Sequence, residues 1–354
     1  YGQLGDGSTV NRVTPVQVGT ESDWTVVETS GFHSCGLRGT GSLWCWGGNN
    51  FGQLGDGTTI ARNTPVQVGV ETDWVQVSSV GNHTCARRSN LTVWCWGSNG
   101  NGQLGIGNTT QQNSPMQVGT ETDWLDIGGG LRHTCGVRAL GFSRIWCWGT
   151  NANSELGDGT TTQRTTPVQI GTENGWLSIS PGNFHTCAHQ VDGTISCWGN
   201  NAFGQLGDGT LTNRGTPNQV GTDTDWTEVD SGSNHTCARR TDNTAWCWGL
   251  NFFGEVGDGT GVDRNVPTKL NNATNWSGIS AADLHSCGFR ADGTAWCWGD
   301  NSKGSVGDGS EVQRNAPLVV GQPAKWSTAT ACFRNTCVVG LDASLWCTGS
   351  NAEG

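Results

Sequence analysis

Fifteen cysteines and seven histidines are the residues of this 354-residue chain best suited to chemistry. Fourteen of the cysteines fall into seven evenly repeated pairs: Cys35 with Cys45, Cys85 with Cys95, Cys135 with Cys147, Cys187 with Cys197, Cys237 with Cys247, Cys287 with Cys297, and Cys337 with Cys347. Six pairs carry a histidine two residues before the first thiol, at His33, His83, His133, His185, His235 and His285. On a strand His33 and Cys35 share a face, and Cys45 joins them across a hairpin, which resembles a three-ligand zinc set. The competing reading is a disulfide beside a hydrogen-bonded structural histidine. The seventh pair keeps both thiols but has Asn335 in place of the histidine, a loss that a disulfide tolerates better than a metal site does. Cys-x-x-Cys knuckles are also missing. The pairs therefore read as seven disulfides, with no metal assigned. Cys332 is left over, either buried and free or paired with another chain.

Catalysis needs a constellation found in one place, not an element copied around the chain. No G-x-S-x-G, phosphate-cradling Gly-Lys-Ser/Thr or Cys-x-x-Cys-His segment occurs, and Asp and Glu form no unique pair. The sequence assigns no catalytic residue and no cofactor, and the chain reads as a non-enzyme. Only 14% of residues are charged and the net charge is −11, which repels a phosphate backbone, so nucleic acid is excluded as a partner. No apolar run reaches the length of a membrane span. So many paired thiols imply an oxidising compartment: extracellular, cell surface or periplasm. The chain opens at Tyr1 inside a repeat with no signal peptide visible, as a mature or excised form would. Sequons at Asn82, Asn108 and Asn275 would permit glycosylation in a eukaryotic secretory pathway.

The elements that position these residues come from one repeat. The tryptophans Trp24, Trp74, Trp124, Trp176, Trp226, Trp276 and Trp326 follow one another at spacings of 50, 50, 52, 50, 50 and 50. Pro15 through Pro317 keep the same rhythm. Each unit contains four short strand-like runs between Gly, Asn and Asp turns; in the sixth these are 276–280, 286–290, 295–299 and 318–320. Four strands repeated seven times predict an all-β fold, a seven-bladed β-propeller of four-stranded antiparallel blades, as a single domain over 1–354. The last unit lacks its outer strand while the first residues supply one, so the N-terminal strand is expected to close the last blade and remove the exposed sheet edges.

Hairpin arithmetic sets the faces. With the turn at Asp292-Gly293, Cys287 lies opposite Cys297, and the two extra residues of the third copy preserve that register. Gly36, Ala86, Gly136, Ala238 and Gly288 oppose Trp44, Trp94, Trp146, Trp246 and Trp296, a small residue facing a large one. Trp44 and Trp46 share the face opposite Cys45, so tryptophans of one blade should pack toward the disulfide face of the next. Six copies pair an Asp with an Arg six residues later, from Asp6 and Arg12 to Asp308 and Arg314, whereas one has Ile106 and Gln112. Joint loss fits an ion pair pinning the long loop, with a calcium or anion site as the alternative.

The unit G-x-x-H-[ST]-C-x-x-R-x-D-G-T-x-W-C-W-G-x-N-x-x-G-Q-L-G-D-G resembles the regulator-of-chromosome-condensation repeat. His285-Ser286, Asp292-Gly293, Trp298-Gly299, Asn301 and Gly204-Gln205-Leu206-Gly207 carry the likeness, which covers all seven copies. It implies a seven-bladed propeller, here in a secreted, disulfide-rich form similar to bacterial surface proteins. The family includes a nuclear exchange factor, a plant UV-B photoreceptor and a secreted bacterial enzyme inhibitor. The acidic balance and the absence of a wedge-like insertion depart from the first. Gly31-Phe32-His33 in place of Gly-Trp-Arg-His departs from the second.

Copy-to-copy variation concentrates in loops. Asn50-Phe51, Gly100-Asn101, Ala202-Phe203, Phe252-Phe253 and Ser302-Lys303 differ at matching positions, and Phe51, Phe203, Phe252 and Phe253 are candidate contacts, or else loop anchors. The function expected is a secreted or cell-surface scaffold for a protein or glycan ligand. The alternatives are a structural subunit of a fibre or surface layer, built from copies of itself, and an enzyme inhibitor.

Overall fold

The computed structural model describes residues 1–270, 273–321 and 325–352. Its strands form seven four-stranded antiparallel sheets, and no helix occurs among the described residues. In the first blade the inner strand is Trp24–Thr29, the second His33–Arg38, the third Leu43–Gly47 and the outer Arg62–Gln67. Cys35 lies opposite Cys45 and Gly36 opposite Trp44, as the hairpin sum requires. The third blade, with its longer turn, keeps Cys135 opposite Cys147.

Every thiol pair expected from the spacing is a disulfide. Cys35 joins Cys45, Cys85 joins Cys95, Cys135 joins Cys147, and Cys187 joins Cys197. Around the rest of the ring Cys237 joins Cys247, Cys287 joins Cys297, and Cys337 joins Cys347. In each the Cα atoms are 4.1 Å apart, the close approach of directly opposed residues on neighbouring strands.

In the sixth blade the outer strand is Arg314–Val319, beginning well before the expected 318–320. The reason is a register shift between Cys297 and Gly299, which lets Gly299 pair with Arg314 around a bulge that simple alternation does not reveal. The seventh blade is built from Trp326–Cys332, Asn335–Gly340, Leu345–Gly349 and, as its outer strand, Arg12–Gln17 from the chain start. Arg12 pairs with Gly349 and Val16 with Cys347, which closes the ring.

Between blades, Trp74 and Trp96 pack on the disulfide of Cys35 and Cys45 together with Leu37, Leu43, Leu54 and Val68. Aromatic rings against sulfur and aliphatic carbon fill this layer. The tryptophans thus meet the disulfide of the preceding blade, not of the following one, because the cysteine side chains point forward around the ring. The layer recurs with Trp124 and Trp148 on Cys85 and Cys95, with Trp226 and Trp248 on Cys187 and Cys197, and with Trp276 and Trp298 on Cys237 and Cys247. It also seals the closure, where Trp24 and Trp46 cover Cys337 and Cys347 beside Leu4. Gly36 is small because Trp24 of its own blade occupies the space a Cβ would need.

Candidate functional site: the long-loop rim and the channel mouth

After each third strand the chain makes a long loop, 48–61 in the first blade, at the end where the inner and second strands turn. Gly48 N–H donates to the Phe32 carbonyl at 2.6 Å, joining the loop to that turn. The loop is held from inside. Asn49 Nδ2 donates to Asp56 and to the Thr58 and Ile60 carbonyls at 3.1–3.2 Å, while its Oδ1 accepts from Leu54 N–H. The six Asp–Arg pairs form ion pairs of 2.5–2.9 Å, as the paired loss at Ile106 and Gln112 suggested. Burial alone raises the Asp56 carboxyl, but hydrogen bonds from Thr58 and Arg62, with the Arg62 charge, outweigh it and hold Asp56 below its ordinary value. Where the pair is missing, Asn108 Oδ1 accepts from Thr110 N–H and Asn99 Nδ2 in place of the lost carboxylate.

The structure places Phe51, Phe203 and Phe252 exposed on this rim, on the first, fourth and fifth blades. Phe253 is half-buried and stacks edge-on against Phe252 at 4.9 Å. The rim spreads these residues around the ring and does not gather them into one pocket.

The histidines face the next blade from the same side as their own disulfides: His185 Nε2 and Cys187 Sγ both approach Thr236 Oγ1, at 3.0 and 3.9 Å. Each Nε2 meets a hydroxyl of the next blade at 2.7–3.0 Å, from His33 to Thr84 around to His285 and Thr336. Thr84 Oγ1 donates its own proton to the Gln53 carbonyl, so it accepts from His33, and Nε2 carries the ring proton. Burial lowers His33 to about 3 and His83 to about 4, so the rings stay neutral. Asn335 breaks the belt: neither of its buried side-chain amide atoms has a partner in the protein.

The sequence reading missed the channel along the axis. Its mouth, on the long-loop side, is a cavity of about 470 Å³ lined by inner strands and turns of all seven blades. Alternate residues of the inner strands reach it, and they bond the free edge of the neighbouring blade. Asp126 accepts from Ile179 N–H, Ser180 from Ser231 N–H, and Asp230 from Ala281 N–H, at 2.8–2.9 Å. These are the inner-edge donors that a sheet otherwise leaves unpaired. Asn183 spans two blades, donating to Ser233 at 2.6 Å and to Asp283 at 3.0 Å. Four carboxylates, Glu28, Asp126, Asp230 and Asp283, line the mouth, and no Lys or Arg does among the described residues. Burial, then the neighbouring Asp230 charge, raises Glu28 to about 8; burial raises Asp230 to about 6. Cys332 is the free thiol, half-buried at this mouth. Burial and the Asp283 and Glu28 charges push its pKa up, so it is a weak nucleophile. The signal for the channel was present in the inner-strand positions held by Glu28, Ser78, Ser180 and Asp230. Its period is only partial: Ser78, Ser180 and Ser280 accept from Gly129, Ser231 and Ala331 N–H of the next blade, whereas Glu28, Gly128, Asp230 and Thr330 hold that position in the others.

Models of the regulator of chromosome condensation (RCC1) repeat match residues 40–87, 92–137, 143–189, 192–239 and 242–288. A second model of the same repeat matches 25–53, 74–103, 226–255 and 276–305. The chain belongs to the RCC1 repeat family. Solved structures share the fold of this RCC1-repeat propeller at low identity. Human WBSCR16 is 18% identical with a TM-score of 0.81, over 95% of this chain and 89% of that one. Prp20p from Saccharomyces cerevisiae, described with its binding properties to Gsp1p and histones, is 22% identical with a TM-score of 0.77, over 92% and 82%. The ectodomain of the Physcomitrella patens receptor kinase CR4 is 18% identical with a TM-score of 0.57, over 93% and 73%. A sequence search of curated proteins returns no match.

Proposed function

We propose that this propeller is a non-enzymatic, extracellular or cell-surface scaffold that binds a protein through its long-loop rim. The observation that carries the reading is exposed apolar side chains on loops whose backbone is pinned. Phe51, Phe203, Phe252 and Ile60 face solvent, while Asn49, Asp56 and Arg62 and their counterparts fix the chain beneath them. Large apolar groups on a rigid frame form a contact surface that loses little ordering entropy on binding. The binding of Gsp1p and histones by yeast Prp20p, and the Kap60 complex of yeast RCC1, support protein ligands for such a ring. Seven stapled blades suit an oxidising compartment.

The test is comparative capture. Wild-type protein and a Phe51→Ser/Phe203→Ser/Phe252→Ser variant are immobilised and exposed to extracellular fractions of the source organism. The reading expects a protein retained by wild type and lost from the variant. Equal retention by both would remove the rim from the account.

A further inference from the structure

Two loop positions, compared around the ring, divide the rim in the same way. The residue two before the loop arginine is Val262, Val312, Val10 and Ile60 on four consecutive blades, the fifth, sixth, seventh and first. All four are 59–61% exposed. On the fourth blade the position is Thr212, but the adjacent Leu211 is equally exposed. On the second and third blades it is Thr110 and Thr162. The second position lies near the start of the loop. It is Tyr1, Phe51, Phe203 and Phe253 on the seventh, first, fourth and fifth blades, Lys303 on the sixth, and Asn101 and Asn153 on the second and third. The fold accepts polar residues at both positions, so packing does not demand the apolar ones. They form an arc over five blades, interrupted by polar loops on the remaining two.

Inside that arc lies the acidic mouth. Glu28, Asp126, Asp230 and Asp283 face a cavity that contains no cationic side chain among the described residues, in a chain of net charge −11. Low-dielectric walls focus such a field and favour a cation held at the centre. Resting on the rim-binding reading above, we infer that the partner is a protein segment that lays apolar side chains on the Leu211–Ile60 arc and inserts a lysine or arginine into the channel mouth. A second copy of this acidic chain is disfavoured by like charge. A glycan could stack on the phenylalanines but offers no cation to the carboxylates.

The probe is a random-peptide phage library selected on the folded protein at low salt. The inference expects enriched peptides that combine Lys or Arg with aromatic or branched aliphatic residues. A synthetic peptide of the enriched sequence should lose roughly ten-fold in affinity with Ile60→Ser/Val312→Ser, and again with Asp126→Asn/Asp230→Asn. High salt should weaken it, and Thr162→Ser should leave it unchanged. The first pair is exposed and the second keeps side-chain shape, and far-ultraviolet circular dichroism verifies folding of each. Enriched peptides that bind the arc but lack basic residues, or ignore the carboxylate variants, overturn this inference and leave rim binding standing. Peptides that bind all variants equally, at the opposite end of the ring, overturn both.

Discussion

At the residue scale, the His–hydroxyl belt explains why a ring nitrogen recurs beside each disulfide. The bond ties one blade to the next, and its neutral form is enforced by burial. His133→Asn should therefore destabilise the protein by about 1–2 kcal/mol, since Thr186 loses a donor inside the core. The converse substitution, Asn335→His, restores a donor toward Ser34 at the one seam without it and should raise the denaturant midpoint by a similar amount. The histidines also set the acid limit. Their folded values lie near 3 to 4 and the ordinary value is 6.5, so below 6.5 only the unfolded chain takes up protons, and stability falls as pH drops toward 3. Glu28 works in the opposite direction. Its carboxyl is raised from 4.5 to about 8, so its burial costs stability increasingly as pH climbs through that window. Glu28→Gln should raise the melting temperature above pH 8 and change it little below pH 4.5, measured by calorimetry at both ends. The structural role of the histidines was legible from Asn335, which a metal site would not have tolerated. Their partner on the next blade was not, because a bond between residues 51 positions apart leaves no local spacing to read.

At the scale of the element, each blade is a hairpin clamp. In the chain-entropy view one disulfide closing about ten residues contributes roughly 3 kcal/mol. Replacing Cys135 and Cys147 together by serine should cost at least that much in denaturant titration, since the layer under Trp176 and Trp198 also loses its sulfurs, with the ring still formed because six clamps and the other interblade layers remain. Hairpin register was legible from sequence, since opposed cysteines and an even-length insertion permit only one pairing. The outer strands were less so, because a bulge opposite the end of the third strand shifts the pairing so that the arginine meets its last glycine. A further cluster passed unnoticed. Arg38 lies 5.9 Å from the Trp24 ring and 5.3 Å from the Trp44 ring, with its Nε 2.7 Å from Asp23. The fourth blade has Gly175, Gln190 and Ser196 in place of the Asp, Arg and outer Trp, all changed together. That joint change was readable, but only the fold brings three residues so far apart in the chain onto one corner of the blade.

At the scale of the whole molecule, ring closure decides what the protein can present. Arg12–Gln17 covers the strand Leu345–Gly349, and Leu4 fills the layer under Trp46. A chain beginning after residue 18 should expose that edge and associate, visible as a concentration-dependent rise in mass by light scattering. The repeat count and the two chain ends made this closure legible. The channel was not legible, since its polar lining repeats as serine in only three blades and obeys only the need to satisfy inner-edge donors. The account holds that one end of the ring, the long-loop rim around an acidic mouth, is the binding face. Hydrogen–deuterium exchange with a captured partner bound tests this most directly. Protection confined to the loops 48–61, 200–213, 250–263 and 300–313 and to the inner turns at the channel mouth is the predicted result. Protection at the hairpin turns of the opposite end, with those loops unchanged, would contradict it.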